Sequence, residues 1–154
     1  GLQVSALRFI EVWVCAGEVM RYQDYEIPDE LLYSREHEWL RLEGKEAVVG
    51  VTDYAQKQLH EVVYVEVKGE GSAVVQNETM GTVESVKSVS DVFSPVTGKI
   101  MKVNKELGDS PELVNQEPYG KGWLARVSLA DFKKDKGRLL TAEQYAQYLE
   151  TMEE

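Results

Sequence analysis

The stretch with the most chemical content runs Gly81-Thr-Val-Glu-Ser-Val-Lys87-Ser-Val-Ser-Asp91-Val-Phe-Ser-Pro95. Two strand-like arms flank a polar turn, and Lys87 stands where the alternation breaks, at or near a hairpin tip. A lysine at a tip can enter the active site of another enzyme. A lysine amine carries a positive charge at neutral pH and becomes neutral on acylation. Acylation would make the formal net charge of −10 one unit more negative. Residue types alone favour a plainer reading: one of 11 lysines in a solvated turn.

Other chemistry has less support. His37-Glu38 lacks the second histidine of a zinc-protease helix. Cys15 with His37 or His60 could form a thiol–imidazole pair, but Cys15 follows Trp13 and Val14 and reads as a buried or incidental thiol. Gly69 and Gly71 are turn glycines without the Lys-Ser/Thr of a phosphate loop. Trp39 and Trp123 read as core or turn anchors, and Glu150–Glu154 as a solvated helix end.

Composition narrows the classes further. A length of 154 residues corresponds to one domain at about 150 residues each. One Cys cannot build a disulfide scaffold, and one Cys with two His does not supply four zinc ligands. A net charge of −10 disfavours nucleic acid, whose phosphates need a basic surface. No apolar run reaches 18 residues, so no membrane helix is expected. The acidic excess repels copies of the chain, favours a monomer and suits basic partner surfaces. Val outnumbers Ile by 21 to 3, which favours strands.

The elements that must position Lys87 are short. Strands are expected over Phe9–Val14, up to Leu42 from a turn at Tyr33, and over Glu46–Val51 after Gly44. Further strands are expected over Glu61–Val67, Val74–Val75, Thr82–Val86, Asp91–Pro95, Lys99–Val103 and Gly122–Ser128. Thr52 caps a helix through Leu59, and Ser110-Pro111-Glu112 starts another. Ser128–Asp131 caps one helical turn. Thr141 with Gln144 forms a capping box, with Tyr145, Tyr148, Leu149 and Met152 on one helical face behind it. Gln23–Glu30 reads as an acidic extended linker. Residues 1–30 are then an atypical extension and 31–154 the domain. Gly1 reads as a remnant of tag removal and Met20 as the natural start. The fold expected is mainly β, a flattened barrel or sandwich with short helices and a C-terminal helix. The hairpins Glu38–Val51 and Lys99–Val127 could be halves of a pseudo-symmetric sheet pair.

From Leu31 to Leu149 the chain resembles the glycine cleavage H-protein family. The pieces are Tyr33…His37-Glu38-Trp39; Gly50-Val-Thr-Asp-Tyr-Ala-Gln56 with Leu59; Glu61-Val-Val-Tyr-Val-Glu66; Gly81-Thr-Val-Glu-Ser-Val-Lys87; Asp91…Ser94-Pro-Val-Thr-Gly98; Asn104; Pro111–Asn115; Pro118-Tyr119; and Gly122-Trp123. The resemblance implies a lipoyl domain (a barrel-sandwich hybrid) with lipoic acid covalently attached to Lys87. Glu84, Ser85, Val86 and Ser88 would form the attachment motif. It implies a carrier and no catalyst, passing an aminomethyl group among glycine decarboxylase, an aminomethyltransferase and dihydrolipoyl dehydrogenase after lipoyl-attaching enzymes have modified it. It implies a cytoplasmic protein in a prokaryote, or a mitochondrial-matrix protein in a eukaryote. Glu38 and Asp91 would line a cleft for the loaded arm, whose amine nearby carboxylates keep cationic. Two positions depart from the pattern: His60 stands where a glycine is usual, and Glu36 where a small polar residue is common. Biotin carriers place methionines on both sides of the lysine, where this chain has Val86 and Ser88. Lipoyl domains of the 2-oxoacid dehydrogenases usually read Asp-Lys-Ala. A relay for another redox or lipoylation pathway stays compatible with these residues.

Overall fold

The computed structural model describes residues 13–15 and 19–152. Among these described residues, twelve strands and five helices follow in order. β1 (Trp13–Cys15), β2 (Val19–Tyr22) and β3 (Tyr25–Pro28) form an antiparallel three-stranded sheet. The part of the expected Phe9–Val14 strand before Trp13 lies outside the described residues. Gln23–Glu30 departs from the expected linker. Tyr22 pairs with Tyr25 and Arg21 with Glu26, and Ile27 is wholly buried. The acidic residues there hid the alternation, because Tyr22, Tyr25 and Ile27 supply an apolar side while Asp24 and Glu26 are exposed.

A six-stranded antiparallel sheet holds β4 (Leu32–Tyr33), β5 (Glu38–Glu43), β6 (Glu46–Val51), β8 (Ala73–Val74), β11 (Gly98–Val103) and β12 (Ala125–Leu129), in the order β4-β5-β6-β12-β11-β8. A second, three-stranded sheet holds β7 (Val62–Val67), β9 (Thr79–Ser85) and β10 (Val89–Phe93), in the order β10-β9-β7. The two form a sandwich, which agrees with the expected mainly β fold. The hairpins β5–β6 and β11–β12 are not halves of a sheet pair. β6 pairs directly with β12, Val49 opposite Ala125, so both lie in one sheet. Val49, Val62, Met80, Val83, Ile100, Leu124 and Val127 fill the space between the sheets, all under 3 % exposed. Burying each such side chain is worth about 1.5–3 kcal/mol.

A second apolar cluster holds Ile27, Tyr33, Trp39, Tyr145 and Leu149. It seats the C-terminal helix, here α5 (Ala142–Met152), against β2, β3 and β4. Thr141 and Gln144 make the expected reciprocal cap at 3.0 and 3.2 Å. Met152 of the expected face is exposed. Trp39 lies flat on Gly50, its register partner, where an added Cβ would come within 2.6 Å of the indole.

The remaining helices are α1 (Asp53–Leu59), α2 (Glu106–Asp109), α3 (Leu113–Gln116) and α4 (Phe132–Lys136). Thr52 caps α1 as expected, its hydroxyl accepting from Ala55 N–H at 3.2 Å. Ser110, expected to start a helix, closes α2, its N–H donating to the Glu106 carbonyl, and α3 begins at Leu113. Asp131 caps α4.

His60, the departure after α1, has φ 68° and ψ −147°, a region that costs a side-chain-bearing residue about 1–3 kcal/mol. Its N–H and carbonyl remain bonded, to Gln56 and Asn115, and its side chain is exposed. His60→Gly should therefore stabilise the fold by about 1 kcal/mol or more in urea unfolding. A loss of stability would show that the His60 side chain contributes more than its backbone geometry costs.

Candidate functional site

The β9–β10 hairpin is tighter than expected. β9 runs to Ser85 and β10 begins at Val89, with Val89 opposite Glu84. Val86 and Lys87 are the central pair of the turn. Neither has a positive φ, which a β-branched residue such as Val86 could hardly adopt. Two-residue hairpin loops usually rely on positive φ; here a side chain helps close the turn. Ser85 N–H donates to the Ser88 carbonyl at 2.8 Å. The buried Ser85 hydroxyl accepts from Lys87 N–H at 3.2 Å and from Ser88 N–H at 3.1 Å. Val86 N–H donates to the Glu61 carbonyl at 3.0 Å, tying the tip to the start of β7.

The lysine therefore projects from a fixed loop into solvent, flanked by exposed Val86, Ser88 and Val89. Glu84 is exposed and stands in a cross-strand row between Tyr64 and Val89. Ser85→Ala would leave two tip amides without their acceptor, at a cost of about 1–2 kcal/mol. Amide exchange at Lys87 and Ser88 should accelerate about tenfold while core amides stay protected. Unchanged tip exchange would mean that the backbone alone holds the turn.

A cleft of about 470 Å³ begins beside this tip. The segment Ser88–Phe93 forms one wall. Tyr54, Ala55, Gln58 and Leu59 of α1 form another, and Glu36, His37 and Glu38 line it as well. The hairpin and the turn before β5 are remote in sequence, so their meeting depends on the sandwich. Glu38 and Asp91, both expected cleft carboxylates, line the same space but differ in environment. Asp91 is exposed. Glu38 is 2 % exposed. One Glu38 oxygen accepts from the Ser34 hydroxyl at 2.5 Å, the other from Phe93 N–H at 3.1 Å. It thus links the six-stranded sheet to the edge of β10. Burial pushes its carboxyl up to about 8, although both hydrogen bonds oppose the shift.

Sequence reasoning passed over several residues here. His37 has φ 72°, held by its N–H to the Ser34 carbonyl and by Thr52 N–H to its own carbonyl. Its ring lies 4.7 Å from that of Tyr54 and 5.9 Å from that of Tyr148. Burial lowers its pKa to about 4, so the imidazole is neutral at pH 7. The helical spacing places Tyr145 on an apolar face, yet its hydroxyl reaches His37. The zinc-protease comparison had considered His37 only as a ligand. No group of three or more His, Cys, Asp or Glu among the described residues could hold a metal ion. Cys15 falls where side chains are not described. No helix among the described residues is long and apolar enough to cross a membrane.

Comparison with known proteins points in one direction. A family model described as glycine cleavage H-protein matches residues 31–152. The glycine cleavage system H protein of Rubrobacter xylanophilus is 52 % identical over 128 residues, covering 83 % of this chain and 98 % of that one. That of Halothermothrix orenii is 49 % identical over 127 residues, covering 82 % and 98 %. The crystal structure of a glycine cleavage system H protein from Mycobacterium marinum superposes with a TM-score of 0.69 at 35 % identity, covering 79 % of this chain and 97 % of that chain.

Proposed function

Because the chain belongs to the glycine cleavage H-protein family, we propose that Lys87 is the residue through which it does that family's work. The protein is the lipoyl-bearing aminomethyl carrier of the glycine cleavage system and has no catalytic role of its own. The observation that supports Lys87 is its position: an exposed amine on a turn closed by Ser85, at the mouth of a cleft lined by Glu38 and Asp91.

The residues present fit a lipoyl group. The Lys87 amine is available for an amide bond, and the cleft beside it combines the apolar surface of Val89 and Leu59 with carboxylates. When attached, the group supplies a dithiol–disulfide pair that takes up an aminomethyl group and two reducing equivalents. The chain's own residues do the rest. Ser85 fixes the tip. Leu59, Val89 and Phe93 give the cleft apolar surface. Glu38 and Asp91 supply acceptors and negative charge to a cationic amine.

The partners implied are glycine decarboxylase, an aminomethyltransferase and dihydrolipoyl dehydrogenase, with lipoyl-attaching enzymes acting first. A tethered arm keeps a high effective concentration at each of these active sites in turn. Protein expressed in cells with lipoylation machinery should carry the added mass on the peptide containing Lys87. An unmodified Lys87 in that preparation, or modification elsewhere, would overturn the assignment.

A further inference from the structure

We propose that Tyr145, on the C-terminal helix, is a positioning residue for the carrier cleft: its hydroxyl fixes the His37 imidazole in the tautomer with the proton on Nε2. Burial already keeps that imidazole neutral. This rests on the reading of the cleft as the place where the arm is held.

Three polar atoms stand in a row. The Tyr145 oxygen is 2.8 Å from His37 Nδ1 and 2.8 Å from Thr52 Oγ1. Thr52 Oγ1 already accepts from Ala55 N–H as the cap of α1. Its own proton is therefore directed to the Tyr145 oxygen, and the single Tyr145 proton goes to His37 Nδ1. The opposite order would make Thr52 accept twice and leave its proton without an acceptor. Buried donors are rarely left so. With Nδ1 accepting, the imidazole proton sits on Nε2.

The surroundings hold this arrangement in place. Tyr145 is wholly buried and stacks on Tyr33, ring centroids 4.7 Å apart and planes 5° apart. The titratable groups near His37 are Tyr54 of α1, Tyr145 and Tyr148 of α5, Glu36 and Glu38 beside it in the chain, and Asp91 on the same cleft. None of these is a cation. A second positive charge at His37 would repel the amine that the cleft receives. A donor aimed at Nδ1 opposes that charge directly, because protonation would turn the acceptor into a competing donor. Through α5, about 110 residues away in sequence, the chain adds this hydrogen bond to the burial that already keeps His37 neutral.

The test uses Tyr145→Phe, which keeps the stacked ring and removes the hydroxyl. Tyr33→Phe is the control, since it also removes a buried tyrosine hydroxyl, one that bonds the Pro28 carbonyl and not His37. Nitrogen-15 NMR of the unmodified full-length chain reads the His37 tautomer and its titration. Tyr145→Phe should mix the tautomers and move the His37 midpoint upward, while Tyr33→Phe changes neither. A second arm follows glycine-derived label on the lipoylated carrier after the decarboxylase is removed. Tyr145→Phe should lose label about fivefold faster, the scale of one ordinary hydrogen bond.

An unchanged His37 spectrum in Tyr145→Phe overturns the proposal, as does a shifted spectrum with label loss equal to wild type. Failure of wild type to retain label would overturn the arm-holding cleft role on which the proposal rests. The NMR arm still decides the tautomer independently.

Discussion

Lys87→Arg should bring glycine-dependent reduction of the nicotinamide acceptor to background in a system reconstituted with the decarboxylase, aminomethyltransferase and dehydrogenase. The exchange keeps one positive charge at an exposed tip. It touches neither the Ser85 hydroxyl nor the backbone bonds that close the turn. Unfolding midpoints should therefore stay within about 0.5 kcal/mol of wild type. What changes is the chemistry of the nitrogen. A guanidinium remains protonated and has no amine lone pair to form the amide. The modified mass should disappear completely, with no compensating modification on the other lysines. Geometry gives the reason. Lys57, for example, lies on α1, 3.2 Å from Asp53, with its ammonium 2.5 Å from the Asp24 carbonyl. Lys99 and Lys102 lie within β11. Among these, only Lys87 is presented on a two-residue tip that can enter an enzyme's active site. Carrier activity surviving in Lys87→Arg would move the attachment to another lysine.

The parts of this site that rest on local pattern were legible in the sequence. Lys87 at a hairpin tip follows from alternation broken by a polar turn. The cap at Thr52 and the box at Thr141–Gln144 follow from side chains that satisfy helix-end amides. The Ser85 closure was less visible, because a serine near a turn is compatible with many local bonds. The hairpin of β2 and β3 was obscured by its charged residues: Asp24 and Glu26 dominate the composition, while Ile27 is the buried position. The joining of β6 to β12 was not accessible, since the two strands are remote in sequence and register between distant strands depends on the packed core. The same limit applies to the cleft. Motif resemblance named Glu38 and Asp91, but no spacing rule says that one carboxyl is buried between Ser34 and Phe93 while the other faces water. His37 and Tyr145 are 108 residues apart, and their bond exists only because α5 docks on the aromatic cluster.

That burial makes Glu38 the source of the second large expected effect, a fall in stability with rising pH. Its carboxyl is raised from an ordinary value near 4.5 to about 8, chiefly by desolvation. In the unfolded chain it loses its proton near 4.5, whereas in the folded chain it holds the proton to about 8. Between these values the native state binds the additional proton, so stability decreases as pH rises. Glu38's favourable share is fully present below about pH 4.5 and is lost by the time pH passes about 8. The total change is on the order of 3–5 kcal/mol. Glu38→Gln removes the titration but keeps most of the bonding. The amide oxygen can accept from Phe93 N–H, and the amide nitrogen can donate to Ser34 Oγ. The stability difference, variant minus wild type, should therefore grow in the variant's favour from pH 5 to pH 8 in urea titrations. A difference independent of pH would show that Glu38 ionises normally despite its burial. The same balance bears on carriage. A cationic amine beside Glu38 favours the carboxylate, so receiving it near neutral pH drives a proton off Glu38 and replaces a buried neutral acid with a buried ion pair. The Ser34 and Phe93 bonds are already directed at the two oxygens, so this ionisation needs no rearrangement of either sheet.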